Sequence, residues 1–338
     1  MKISFLVTYY NQEQYVKSSL DSILAISKPC DWEILVGDDG SSDGTVKLVE
    51  SYIAADPQHI SLHVMPRDTQ KRYEAVRRAS ANRLNVLQKA TGDLYMIMDG
   101  DDFYCDTEFL QEALDIFTAH SDASVAAFGY RTYTDGVYGD PVCAADQDAV
   151  TRIDKQTFIR TRYIPAGACV FDRNRALRQI ERLKEVGYFD DNDILLNNLN
   201  DGEMYGIGRA VYAYRQTGGS IFNSMSTLEQ SVLNMQGYDV DCRIMDPCWQ
   251  KDLLQRNSYH FMVMYLWRNR IRNTLGDEKY QKYLNGCREM KQSVTADLMN
   301  WDALPTTKKR EYRAIAWDFV RRHPRSAGKL YCKKLFEK

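Results

Sequence analysis

The chain has 338 residues with 44 Lys/Arg against 46 Asp/Glu, enough for one large domain and an appendage. A formal charge of −2 argues against a uniformly basic nucleic-acid-binding surface, so no nucleic-acid partner is expected. The eight cysteines contain no C-x-x-C pair and no Cys/His cluster with zinc spacing, which leaves reduced thiols in a cytoplasmic setting as the simplest account.

No leader precedes the first apolar run, residues 3–7, which reads as a strand. Residues 12–24 place Tyr15, Val16, Leu20, Ile23 and Leu24 on one helical face. Residues 32–36 form the next strand, and a helix follows over 43–53, capped by Ser42 or Asp43. A strand over 61–65, a long charged helix over 73–89 and a strand over 94–98 complete the N-terminal series. Strands alternating with crossover helices predict an α/β fold with a doubly wound, mainly parallel sheet. Beyond residue 107 the spacing predicts a helix over 108–119, a strand over 125–133 and a Gly/Asp-rich loop over 134–148. A strand over 167–171, a helix over 191–200 and a strand over 210–215 follow. From about residue 225 the pattern is helical, with segments over 258–274, 277–294 and 307–320 and a break at Pro324.

In such sheets ligands bind beyond the carboxyl ends of the strands. Three polar motifs fall there: Thr8-Tyr9-Tyr10-Asn11, Gly37-Asp38-Asp39-Gly40-Ser41-Ser42-Asp43-Gly44-Thr45, and Asp99-Gly100-Asp101-Asp102. The third places three carboxylates within four residues. Such acids raise one another's pKa unless a cation neutralises them, and Mg²⁺ or Mn²⁺ supplies that charge while sharing its coordination with phosphates. Gly100 lets the backbone turn and a ligand approach closely. In the second motif a carboxylate, Asp38 or Asp39, can accept the N–H of a base or a ribose hydroxyl, while the Ser and Gly residues suit a turn and a helix cap. In the first, a tyrosine such as Tyr10 can stack on a base, and Asn11 either joins the site or caps the next helix.

These motifs, in this order and at these separations, resemble those of family 2 inverting glycosyltransferases with the GT-A fold. That family's first strand ends in a Thr-x-Asn element, its second in Asp-Asp-Gly-Ser-x-Asp-Gly-Thr and its fourth in Asp-x-Asp-Asp. Arg83 falls on the Arg of the family's Ala-Arg-Asn-x-Gly stretch, with Leu84 and Val86 replacing its Asn and Gly. Phe189-Asp190-Asp191-Asn192-Asp193-Ile194-Leu195 resembles the Glu-Asp-x-x-Leu motif whose Asp is the catalytic base. Val211-Tyr212-Ala213-Tyr214-Arg215-Gln216-Thr217 resembles a Tyr-Arg-x-His element, with Thr217 in place of His.

The resemblance covers residues 1–222. It implies nucleotide-sugar binding by 1–105, an acceptor side over 106–222, and a helical C-terminal region over 223–338. It further implies donor contacts from Thr8, Tyr10, Asn11, Asp38, Asp39, Arg83, Asp99, Gly100, Asp101 and Arg215. Asp39 would bind the nucleobase, and Asp99 and Asp101 the ribose and the metal-bound pyrophosphate. Asp101 and Asp102 would be the ligands of Mg²⁺ or Mn²⁺, and Asp191 the base that takes the acceptor proton. The implied activity is metal-dependent, inverting transfer from a nucleotide-sugar donor, a UDP-sugar first, to a saccharide or lipid-linked saccharide acceptor in cell-envelope polysaccharide synthesis. A sugar-nucleotide pyrophosphorylase is disfavoured because residues 8–14 carry neither glycine nor cation. A catalytically silent carbohydrate-binding or scaffold protein on the same frame is disfavoured by the retained acids 39, 99, 101, 102 and 191.

Residues 305–338 hold eleven Lys/Arg against three Asp/Glu. Phe261, Met262, Met264, Tyr265, Leu266 and Trp267 lead into Arg268, Arg270 and Arg272, and Trp317, Phe319, Leu330, Tyr331, Leu335 and Phe336 lie among the later cations. Aromatics interleaved with cations suit a helix lying peripherally on an anionic membrane surface, on the inner face of the cell membrane. They suit equally a helical cap with a solvated basic face.

Overall fold

In the computed structural model, which describes residues 1–68, 74–146, 148–161, 163–216, 225–288 and 292–336, β1 (Lys2–Tyr9) is buried throughout residues 3–9. A strand with no polar face needs parallel neighbours on both sides and helices over both surfaces. The chain supplies them in order: α1 (Glu13–Ala25), β2 (Asp31–Asp38), α2 (Thr45–Ala55), β3 (Ile60–Val64), α3 (Ala75–Lys89) and β4 (Leu94–Asp99). β1 pairs in parallel with β2 and β4, and β2 with β3. The register sets Tyr9 opposite Asp38 and Thr8 opposite Asp99, so all three motifs leave the sheet along one edge.

The parallel pattern stops at β4. The chain continues through β5 (Phe103–Tyr104), α4 (Leu110–Ala119), β6 (Ala123–Thr134), β7 (Val137–Tyr138), β8 (Val142–Cys143), β9 (Thr151–Ile153) and α5 (Lys155–Thr161). It then forms β10 (Cys169–Asp172), α6 (Arg173–Arg178), α7 (Ile180–Val186), α8 (Asp191–Leu199) and β11 (Glu203–Arg215). The sheet order is β3-β2-β1-β4-β10-β6-β11-β5, and β10 runs antiparallel to both β4 and β6. The loop expected over 134–148 contains the short strands β7 and β8. β11 begins seven residues earlier than its apolar run suggests; its register with β6 shifts between Gly206 and Ala210, a bulge that small residues permit. Asp43 does not stand at the cap of α2, which is Gly44. Its carboxylate instead takes the N–H of Thr45 at 3.0 Å and that of Glu13 at 3.1 Å, tying the starts of two helices together.

The chain divides into two units, Met1–Gly218 and Gly219–Lys338. The second is helical: α9 (Thr227–Ile244), α10 (Gln250–Arg256), α11 (Ser258–Trp267), α12 (Ile271–Leu275), α13 (Asp277–Arg288), α14 (Val294–Met299), α15 (Thr306–Arg322) and α16 (Pro324–Phe336). A Ser226–Glu229 capping box starts α9. The helix expected over 258–274 is two helices, because the all-round apolar run ends at Trp267 and exposed Asn269 and Arg270 make a turn. Phe261, Met262, Met264, Tyr265, Leu266 and Trp267 are all buried, so α11 is core rather than a membrane-facing surface. Among the described residues no helix is long and apolar enough to cross a membrane.

Candidate active site

The β2 motif divides its two acids. Asp38 is fully buried and accepts from the Ser41 backbone N–H at 2.7 Å and the Ser41 hydroxyl at 2.6 Å, closing the turn in which Gly40 takes φ +72°. Asp39, 5 % exposed, is held by Arg67 at 2.7 Å and by Arg78. The Arg67 guanidinium also lies 4.0 Å from the ring centroid of Tyr10, which is exposed. Asn11 adopts φ +51°; its N–H donates to Ser41 Oγ at 2.8 Å and its side-chain oxygen accepts from the Ser42 N–H at 2.8 Å. It therefore pins the β2–α2 turn rather than capping α1, whose cap is Gln12.

At the end of β4 the three acids have three different surroundings. Asp99 accepts two bonds from Arg83 Nη2, at 2.7 and 2.8 Å, and one from the Thr8 hydroxyl at 3.3 Å. Asp102 is 3 % exposed and both its oxygens are committed: one to the Tyr212 hydroxyl at 2.6 Å, the other to the Arg215 backbone N–H at 2.7 Å. Burial pushes its carboxyl up to about 8 despite the Tyr212 bond. Asp101 is half-buried, and among the described residues its carboxylate receives no hydrogen bond from another residue. Burial, then Asp99, raises its pKa, while Arg215 and Arg83 lower it. Gly100 sits against Tyr9, whose ring a Cβ would enter; close packing as well as turning demands glycine there.

Arg215 does not project freely as a phosphate partner. Its Nε donates to the Asp101 carbonyl at 2.6 Å, and its guanidinium sits about 5 Å from the rings of Tyr15, Phe103 and Tyr133. Thr217 lies outside the described residues.

The acids before α8 also divide. Asp190 caps the helix in a reciprocal box with Asp193, at 3.1 and 2.8 Å. That bond set leaves Asp191 to face a cavity it shares with Arg83, Asp99, Asp102, Tyr212 and Tyr214. Ser80 fixes this approach: its hydroxyl donates to the Phe189 carbonyl at 2.8 Å and accepts the Phe189 N–H at 3.0 Å. Arg83 follows one turn later on α3, so the same helix that anchors the Asp191 segment delivers its counter-charge. Asp191 Oδ2 accepts from the Tyr163 hydroxyl at 3.0 Å and the Ala166 N–H at 3.3 Å. Burial, then Asp190 and Asp99, pushes its pKa up to about 6 against the pull of Arg83. Burial opposes the charge on Arg83, but Asp99 and Asp191 outweigh it and keep the guanidinium protonated. The cavity, ≈ 20 Å³, has room for about one water.

Sequence reasoning missed Arg67, Arg78, Tyr163, Tyr212 and Tyr214. Arg78 lay unmarked in a charged helix, and Tyr212 and Tyr214 precede Arg215 in a motif from which only the cation was singled out. Among the described residues no three His, Cys, Asp or Glu side chains converge to hold a metal ion. With Asp102 committed and Asp99 paired, the set does not fit a protein-built cage. It fits a divalent ion held by the Asp101 carboxylate and by phosphate oxygens of a ligand.

A family model described as Glycosyl transferase family 2 matches residues 4–181, just over half of the chain. Uncharacterized protein Mb1547 of Mycobacterium bovis is 28 % identical over 144 residues, 40 % of this chain and 37 % of that protein. The chain thus spans well under half the length of that relative. Uncharacterized glycosyltransferase MG060 of Mycoplasma genitalium is 24 % identical over 292 residues, 82 % of this chain and 87 % of that one. Poly(ribitol-phosphate) beta-N-acetylglucosaminyltransferase TarS of Staphylococcus aureus is 31 % identical over 121 residues, 36 % of this chain and 19 % of TarS. The crystal structure of TarS 1-349 in complex with UDP superposes with a TM-score of 0.63 at 17 % identity, covering 100 % of this chain and 93 % of that one. At that identity the likeness is one of fold, a mixed α/β sheet with C-terminal helices.

Proposed function

Because this chain belongs to glycosyl transferase family 2, we propose that it transfers a sugar from a nucleotide-sugar donor to an acceptor hydroxyl with inversion at the anomeric carbon. The observation that carries this reading is the meeting of Asp191 and Asp99, from separate elements, in one cavity with Arg83 beside both. Tyr163 and Ala166 hold Asp191 Oδ2 and leave Oδ1 for the acceptor. The acceptor oxygen bonds to the anomeric carbon as the carbon–phosphate-oxygen bond breaks; the proton passes to Asp191 and the electron pair leaves with the diphosphate. A pKa of about 6 keeps Asp191 ionised at neutral pH yet basic enough to assist. Bound Mg²⁺ or Mn²⁺ would neutralise charge on the departing diphosphate, with Asp101 as its protein ligand. Asp39 accepts the base N–H by yielding one of its two arginine contacts, with Tyr10 alongside. A uridine donor is favoured by the fold shared with TarS, which has been crystallised with UDP and with UDP-GlcNAc.

A saccharide or lipid-linked acceptor in cell-envelope polysaccharide synthesis, met on the cytoplasmic face of the membrane, completes the reading. It is supported by α15, where Trp317, 73 % exposed, shares a face with Arg310, Arg313 and Arg321. The test is a panel of nucleotide sugars with and without Mn²⁺, read by released diphosphate. Turnover that Asp191→Asn abolishes supports the enzyme; nucleotide binding with no turnover across the panel and with added acceptors points to a silent scaffold.

A further inference from the structure

Between α11 and α12 the chain turns through Arg268, Asn269 and Arg270, and the turn opens on a cleft of ≈ 340 Å³ within the helical unit. Its lining includes Arg268, Arg270 and Arg272, with Asn300 and one acid, Asp302. The three cations are not equivalent. Arg272 donates to Asp277 at 2.6 Å, so its charge is matched. Arg268 is clamped between aromatic rings, 4.1 Å from the centroid of Tyr265 and 4.8 Å from that of Trp301. One of its terminal nitrogens donates to the Tyr265 carbonyl, while its Nε is buried without an acceptor. Arg270 is exposed, and among the described residues its side chain makes no hydrogen bond or ion pair.

A guanidinium held flat by rings cannot swing away from the cleft, and its remaining terminal N–H groups suit the oxygens of a phosphate. Two unmatched cations against Asp302 leave net positive charge, which suits a phosphate anion better than a neutral sugar. We propose that this cleft binds a phosphate group, carried either by a phosphorylated saccharide or polyol or by a phospholipid headgroup. In combination with the transferase reading, on which only this role rests, the group belongs to the acceptor.

The test uses the full chain, and substitutions confined to the cleft separate it from the candidate donor site. Titration calorimetry with inorganic phosphate and glycerol 3-phosphate, with glycerol as the neutral control, reads the soluble source. Co-sedimentation with phosphatidylglycerol against phosphatidylcholine vesicles reads the headgroup source. Arg270→Gln touches no packed group, and Arg268→Lys keeps the charge but removes the planar guanidinium. Each is expected to weaken binding about tenfold, the value of one charge-assisted bond, with the melting temperature of Arg270→Gln unchanged. Binding of soluble phosphates that both variants weaken supports the site with a saccharide or polyol source. Binding confined to phosphatidylglycerol vesicles and weakened by both supports the headgroup. No binding to any probe, or affinities that both variants leave intact, overturns it. A chain that binds phosphate here but transfers no sugar keeps the site and loses only its acceptor role.

Discussion

Asp191→Asn separates stability from catalysis. The folded chain holds the Asp191 proton until about pH 6, whereas an unfolded chain releases it near 3.8. Between those values the folded state binds more protons, so stability falls as pH rises, and above about 6 the whole penalty is present. The gap between 3.8 and about 6 corresponds to at most about 3 kcal/mol. The substitution also removes an attraction for Arg83, which reduces the net gain to about 1–2 kcal/mol. Asparagine keeps an oxygen for Tyr163 and Ala166. The variant is therefore expected to melt about 2–6 °C above the wild type at pH 8 and no higher at pH 4, while transfer falls by about 10²–10⁴. Thermal melts from pH 4 to 8 and diphosphate release at saturating donor measure both. A variant that melts lower at pH 8 shows that the charge is not strained, and one that turns over normally shows that the base lies elsewhere.

The same proton predicts the rate profile: kcat/KM should drop about tenfold per pH unit below about 6 and level off above it, and a profile flat to pH 5 would assign the base to another group. Asp101→Ala should reduce Mn²⁺-dependent UDP affinity by about tenfold or more in calorimetry, whereas Asp102→Ala should lower the melting temperature by removing the partners of the Tyr212 hydroxyl and the Arg215 N–H; the reverse pattern would put the ion on Asp102. Gly100→Ala drives a methyl into the Tyr9 ring and should cost about 1–3 kcal/mol, so an unchanged denaturation midpoint would contradict the packing. Removing residues 324–338 should release the chain from phosphatidylglycerol vesicles, and undiminished binding would discard that segment as an anchor.

The N-terminal half of the sheet was legible because its central strands β1 and β4 are buried on both faces and its helices carry one-sided periodicity, as in α1. The order of the later strands was not legible. β10 is four residues long and enters between β4 and β6 through a contact far away in sequence, and no local pattern encodes that. In the site, acidic spacing found the carboxylates but not their partners. Asp38 and Asp39 look alike in sequence, yet one closes a turn and the other meets two arginines from distant segments. Asp190 and Asp191 part in the same way, since a capping box consumes the first. Spacing marks where charge accumulates; only the fold decides which charge is already answered.

That distinction bears on how a donor would enter. Asp39 is balanced by Arg67 and Arg78, Asp99 by Arg83, and Asp102 by burial that favours its protonated form. The arginines at these strand ends are thus engaged before a ligand arrives, and Asp101 remains the acid without a hydrogen bond from another described residue. A diphosphate arriving alone would add negative charge beside Asp99 and Asp101 and would have to draw an arginine from an existing pair. A divalent ion arriving alone would find one good carboxylate, too few for tight binding. Each ligand therefore supplies what the other lacks, and linkage makes the dependence mutual. UDP should tighten the ion's binding by the same factor by which the ion tightens that of UDP. Titrations of each ligand with and without the other would measure both factors, and independence would mean that Arg83 or Arg67 changes partner to take the phosphates unaided.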